Sequence, residues 1–221
     1  MTEPDRLAAE VSGRRPLASR QWPFSQRAAA GLAARGASPN GISVAGMVFG
    51  LAAGAAFWAT ARVSGPAWPW WLAGALLVQL RLLCNLLDGM VAVEGGHRSV
   101  VGELFNEVPD RVSDAATLVG LGYALGGLPV LGWAATAMAL FVAYVRAAGV
   151  VAGARQAFGG PMAKPHRMAA VTLAALVAAA APVAWHVPSW ALGAVVVGGA
   201  VTVVRRLSTI AADLRAAALP A

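Results

Sequence analysis

The chain has 221 residues, is 58% hydrophobic and only 12% charged, and carries a formal net charge of +7. Soluble domains are roughly a quarter charged, so this composition, with a mean hydropathy of +0.65, excludes an ordinary soluble domain and points to a polytopic helical membrane protein. In such a protein Arg and Lys first fix orientation and then attract anionic lipid, so the basic balance does not imply nucleic acid.

Residues 1–41 form a polar, Arg-rich leader (Arg6, Arg14, Arg15, Arg20, Arg27, Arg35) broken early by Pro4, Pro16 and Pro23. Within it, residues 24–36 fit a short helix lying at the membrane interface, with Arg27 and Arg35 flanking small apolar residues. Ser38-Pro39-Asn40-Gly41 then marks a turn. A bilayer-spanning helix needs about 20 mainly apolar residues, and six segments qualify: 42–61, 69–93, 100–125, 129–152, 168–186 and 188–205. The expected architecture is all-α, with six transmembrane helices in a membrane domain over 42–206 and a cytoplasmic tail over 207–221.

The first span carries Gly46, Gly50 and Gly54 at four-residue spacing, a stripe on which another helix can approach closely. With both termini cytoplasmic, thirteen Arg and Lys residues fall on inside segments and only Arg62 on an outside loop. The positive-inside rule therefore expects a multi-pass protein of the cell membrane with its N- and C-termini in the cytoplasm. Arg81, Arg111 and Arg146 lie within spans, and each needs a partner. Trp68, Trp70, Trp71, Trp185 and Trp190 collect at the outer side and read as interface anchors. The lone cysteine, Cys84, excludes an internal disulfide and reads as a core thiol.

The stretch 85–114 departs from this scaffold. It holds Asp88, Glu94, Glu103, Glu107, Asp110 and Asp114, six of the ten acidic residues in the chain. Charges are costly inside a membrane, and a functional site is the default reading where they cluster. Residues three, four and seven apart share a helix face. Asn85, Asp88, Gly89 and Ala92 therefore share one face of the second span, with Arg81 a turn deeper. In the third span Gly102, Asn106 and Asp110 form a ladder, and Glu103, Glu107 and Asp114 adjoin it. With a rise of about 1.5 Å per residue, Asn85 should stand level with Asp110, Asp88 with Asn106, and Arg81 with Asp114. The two helices thus offer tiers of oxygen donors suited to a hard divalent cation. An ion pair with Arg81 is the alternative role for Asp114. Pro109 removes one helical hydrogen bond and should kink the third span.

This pattern resembles the signature of the CDP-alcohol phosphotransferases, Asp-x2-Asp-Gly-x2-Ala-Arg, eight residues, then Gly-x3-Asp-x3-Asp. Asn85 stands at the first Asp, Asp88 at the second, Asn106 at the third and Asp110 at the fourth, with Gly89, Ala92 and Gly102 in register and Val93 replacing the Arg. An Asn-containing branch of the family has a similar Asn-Glu-x2-Asp-x3-Asp run. The resemblance implies transfer of a phosphatidyl or other phospho-alcohol group from a CDP-alcohol such as CDP-diacylglycerol to an acceptor hydroxyl, with release of CMP. It implies one or two Mg2+ or Mn2+ ions on Asn85, Asp88, Asn106 and Asp110, with Glu107 and Asp114 as further candidates, and Asp110 as the proton acceptor. It also implies donor contacts at Gly89, Ala92 and Gly102, and a homodimer. The acceptor alcohol is left open.

Arg146, Arg155, Lys164 and Arg167, in and after the fourth span, are candidates for a phosphate or acceptor clamp, or else orientation charges. His97 and His186 read as solvated. Two rival functions stand beside the transferase. One is a non-catalytic relative that binds nucleotide or lipid through a weakened metal site, since two carboxylates are replaced by amides. The other is a small transporter, which the lack of an internal repeat disfavours.

Overall fold

The computed structural model describes residues 22–94 and 102–218. The leader arginines Arg6, Arg14, Arg15 and Arg20, the turn residues His97 and Arg98, and the side chains of Val93, Glu94 and Glu103 lie outside the described set. Seven α-helices are described: α1 (Pro23–Ala34), α2 (Pro39–Ala59), α3 (Trp68–Glu94), α4 (Gly102–Gly122), α5 (Pro129–Val151), α6 (Lys164–Ala178) and α7 (Val187–Ala217). α1 is the expected short N-terminal helix. Its Ala29, fully buried, packs against Leu87, Met90 and Val91 of α3, while Trp22 and Phe24 stay exposed.

Local chemistry sets several helix starts. Ser38 is the N-cap of α2, its hydroxyl accepting from the Gly41 amide at 3.0 Å, and Pro39 follows in the first turn. Proline likewise occupies the first turn of α1, α5, α6 and α7. The helix α4 continues unbroken through Pro109.

Among the described residues four helices are long and apolar enough to cross a bilayer: Pro39–Ala59, Trp68–Ala92, Pro129–Val151 and Val183–Ala217, the last including a 3-10 turn. The other two expected spans differ in kind. In α4 the run of charged residues that makes the site lowers its apolar character, and α6 has only 15 residues. Both are flanked by the longer helices: α4 packs on α2 and α5, and α6 on α3 and α7. α7 continues to Ala217, past the 205 limit that hydropathy sets.

The main core joins Phe57 of α2, Trp71 and Val78 of α3, Leu118 and Leu121 of α4, and Met168 of α6. Trp71 is therefore no interface anchor. It is 2% exposed and its ring tilts against Phe57 at 5.8 Å, because it starts α3 on the inward face. Trp68, Trp70, Trp185 and Trp190 are exposed at the same end, as anchors would be.

The glycine stripe does what its spacing implied. A Cβ on Gly50 would lie 2.9 Å from Ser113 Cα, and one on Gly54 would lie 2.7 Å from the Ala116 carbonyl carbon. At Gly46 a Cβ would meet Cys84 Cβ at 3.0 Å and Asn85 Oδ1 at 3.6 Å. Backbone contact thus draws α2 onto both α3 and α4, and holds those two helices at a fixed spacing. Gly54→Leu should push α2 off α4 and destabilise the protein by about 1–3 kcal/mol, the usual cost of overpacking. Thermal unfolding in detergent, followed by tryptophan fluorescence, measures it.

Candidate active site

α2, α4 and α6 begin, and α3 and α5 end, at one pole of the bundle. Each contributes a polar side chain there. Arg81, Asn85 and Asp88 come from α3, Asp110, Ser113 and Asp114 from α4, Lys164 and Arg167 from α6, Arg146 from α5 and Ser43 from α2. Asp88, Asp110 and Asp114 are all buried, as are Arg81 and Arg167.

The deepest layer is an ion triad. Arg81 Nη2 lies 2.5 Å from Asp114 Oδ1, and Arg167 donates to Asp114 Oδ2. Arg81 Nε also donates to Ser113 Oγ at 2.7 Å, and its Nη2 reaches the Asp110 carbonyl at 3.3 Å and Oδ1 at 3.4 Å. The expected level pairing of Arg81 with Asp114 is therefore present, and Arg167 joins it. Buried charges persist only when paired in this way. Above the triad, Lys164 donates to Asp110 Oδ2. On the flank, Glu107 receives Arg111 at 2.8 Å and is paired with Arg146. Arg146 also stacks over the Phe158 ring at 5.6 Å. All three intramembrane arginines thus have acidic partners.

Asp88 is different. Its Oδ2 accepts from Ser43 Oγ at 2.7 Å and its Oδ1 from the Gly89 amide at 2.5 Å. Among the described residues no cation lies within salt-bridge distance of it, although it is only 4% exposed and within electrostatic reach of Asp110 and Lys164. One turn deeper on α3, Asn85 Nδ2 is buried without a hydrogen-bond partner. The Asp88 carboxylate and, with the amide turned over, the Asn85 carbonyl oxygen would give oxygen donors of the kind a hard cation takes. Among the described residues no three His, Cys, Asp or Glu side chains converge as a closed cage, so such a cation needs amide, water or substrate oxygens as well.

The other candidates fall less closely together. Asn106 is exposed, while Gly89, Ala92 and Gly102 are partly buried around the same pole. Arg155 is not brought to the acids: it pairs with Asp213 of α7 at 2.7 Å, its side chain 90% exposed. Lys164 and Arg167 do reach them. Sequence reasoning missed Ser43 and Ser113. Ser43 carried a readable signal, in the first turns of α2, which begins at Pro39 where the sequence suggested a separate turn; Ser113, on α4 between Arg111 and Asp114, carried none.

The segment carrying Lys164 is held firmly. Arg206 of α7 donates to the carbonyls of Val142 at 2.8 Å, Gly159 at 3.1 Å and Phe158 at 3.4 Å. Thr202 Oγ1 accepts from the Met162 amide at 2.9 Å, beside Gly160, whose φ of 125° lies in the left-handed region.

No family model matches the chain. Over 149 residues it is 28% identical to phosphatidylinositol phosphate synthase of Mycobacteroides abscessus, covering 62% of this chain and 64% of that protein. Over 151 residues it is 28% identical to the same enzyme of Mycolicibacterium smegmatis, covering 64% and 65%. The matched region thus spans just under two thirds of these curated relatives. Among solved structures, Mycobacterium tuberculosis phosphatidylinositol phosphate synthase with CDP-DAG bound superposes with a TM-score of 0.72 at 23% identity, covering 90% of this chain and 100% of that one. The same synthase in complex with manganese and citrate gives 0.72 at 23%, covering 89% and 93%. The fold is that of an all-α, multi-pass membrane protein and is like that of phosphatidylinositol phosphate synthase. The chain is similar in sequence and fold to phosphatidylinositol phosphate synthase, an enzyme of the CDP-alcohol phosphatidyltransferase family.

The triad yields a stability prediction. Arg81→Met leaves Asp114 with Arg167 as its one remaining cation and Ser113 Oγ without its donor, and should cost about 3–5 kcal/mol, as removal of one partner of a buried pair does. Arg155→Ala, at the exposed pair, should leave the unfolding temperature unchanged in the same detergent assay.

Proposed function

We propose that the protein transfers a phosphatidyl, or related phospho-alcohol, group from a CDP-alcohol such as CDP-diacylglycerol to an acceptor hydroxyl, releasing CMP, as a step of phospholipid synthesis. The observation that carries this reading is the pair Asp88 and Asp110, buried on facing helices of one pole and within electrostatic reach of each other. The CDP-DAG and the manganese bound in structures of the Mycobacterium tuberculosis synthase are of the chemistry these residues suit.

Asn85 and Asp88 would hold a divalent cation, Mg2+ or Mn2+, with Asp110 opposite and Asn106 at the open rim. That ion supplies shielding of the donor diphosphate and of the charge that builds up during transfer. Gly89, Ala92 and Gly102, partly buried around the same pole, would lie against the nucleotide. Asp110 takes the proton of the acceptor hydroxyl as its oxygen bonds the transferred phosphorus and the bond to CMP breaks. Glu107 orients Arg146 and Arg111, which with Lys164 bind phosphate oxygens at the rim. Asp114 acts structurally, through Arg81 and Arg167.

In this reading the protein sits in the cell membrane with both termini and the polar pole at the cytoplasmic face, where a water-soluble nucleotide and a lipid donor meet. Residues 1–41 then form a basic leader with an interfacial helix, 42–206 the membrane domain and 207–221 a cytoplasmic tail, and two copies pair as a homodimer. A second reading, a relative that binds nucleotide or lipid without turnover, is favoured by the amides at 85 and 106.

One assay separates the two. Purified protein should release CMP from CDP-diacylglycerol with Mg2+ or Mn2+ and at least one acceptor from a panel of glycerol phosphate, inositol phosphate, serine and phosphatidylglycerol. EDTA should abolish release, and Asp110→Asn should lower kcat by about 10²–10⁴-fold, the range for loss of a general base. Binding of CDP-diacylglycerol with no CMP from any acceptor would select the second reading.

A further inference from the structure

The charges at this pole can be set against one another. Among the described side chains there are four carboxylates, Asp88, Glu107, Asp110 and Asp114, and five cations, Arg81, Arg111, Arg146, Lys164 and Arg167. Glu107 is matched by Arg111 and Arg146, Asp114 by Arg81 and Arg167, and Asp110 by Lys164, with Arg81 at 3.4 Å and Arg111 at 3.9 Å. Asp88 is the only one of the four left without a cation among the described residues.

We infer that the site takes one divalent cation per chain, on Asp88 and the Asn85 amide, and that the Lys164 ammonium is a built-in second positive charge held on Asp110. This deepens the transferase reading and rests on it. Ser43 and the Gly89 amide bind different oxygens of Asp88, so each oxygen keeps a lone pair for a ligand. The Asn85 amide, turned over, offers its oxygen where its unbonded nitrogen now lies. Magnesium-type ions are commonly held by one or two carboxylates and completed by water and substrate phosphate, so a single carboxylate suffices.

Asp110 offers no comparable place. Its Oδ2 faces Lys164 and its Oδ1 faces Arg81, so a second divalent ion there would meet two fixed cations at contact range. Asn106, exposed and uncharged, contributes no charge to offset them. Nor is Lys164 a loose surface charge. It opens α6 directly after Ala163, which is fully buried, on a segment locked by Arg206 and Thr202. Lys164 thus orients Asp110 and lends positive charge to the phosphates beside it without having to be recruited from solution.

The test is a Mn2+ count on the full chain in lipid nanodiscs, reading free Mn2+ by electron paramagnetic resonance and CMP release on the same preparation. One Mn2+ per chain is expected, lost in Asp88→Asn. The double variant Asn106→Asp with Lys164→Met should rise to two, with tryptophan fluorescence and elution volume unchanged to show that it is folded. Two Mn2+ on the unaltered chain, or one retained by Asp88→Asn, overturns the inference. A double variant that is folded yet still binds one removes Lys164 from it. Two Mn2+ with CMP release would refute the single-ion site while leaving the transferase reading intact. One Mn2+ with no CMP from any acceptor would do the reverse.

Discussion

Arg81 has no exposed surface, and the polar pole is arranged around it. A guanidinium deep in a helix bundle has to be neutralised, and its five donors in a fixed plane require partners in fixed directions. Asp114, Ser113 and Asp110 supply them to its Nε and Nη2, all from one face of α4. Because Asp114 also holds Arg167, the same charge fixes α6 against α3 and α4. The orientation of Asp110, and through it Lys164, follows from a contact that itself never meets solvent.

Glycine provides the complementary constraint. The close approach of α2 to α4 at Gly50 and Gly54, and to α3 at Gly46, brings the Ser43 hydroxyl within reach of Asp88. Ion pairing thus sets the spacing of α3, α4 and α6 from within, while backbone contact sets it from the side of α2. The result is a pole in which charges of both signs are held nearly in balance and one carboxylate is set apart.

Much of this was legible from residue spacing. The level of Arg81 with Asp114 followed from helical rise alone, as did the shared face of Asn85 and Asp88, the glycine contact and the need for partners at Arg111 and Arg146. Less legible was anything decided by contacts distant in sequence. Arg155 and Lys164 look alike in the chain, yet one pairs with Asp213 at the surface and the other with Asp110, because Arg206 turns the intervening backbone. Trp71 reads like its neighbour Trp70, and only the position of Phe57 separates core from rim. Hydropathy counted α6 as an ordinary span. Its apolar run extends into the Pro182 turn, which local sequence does not distinguish from helix.

The brevity of α6 has a geometric consequence. Its 15 residues measure about 22 Å, against a hydrocarbon layer of about 30 Å. With its far end at the tryptophan-lined side, its first residue cannot reach the opposite headgroup plane. In a layer of that thickness Lys164 would stand about 8 Å short of that plane.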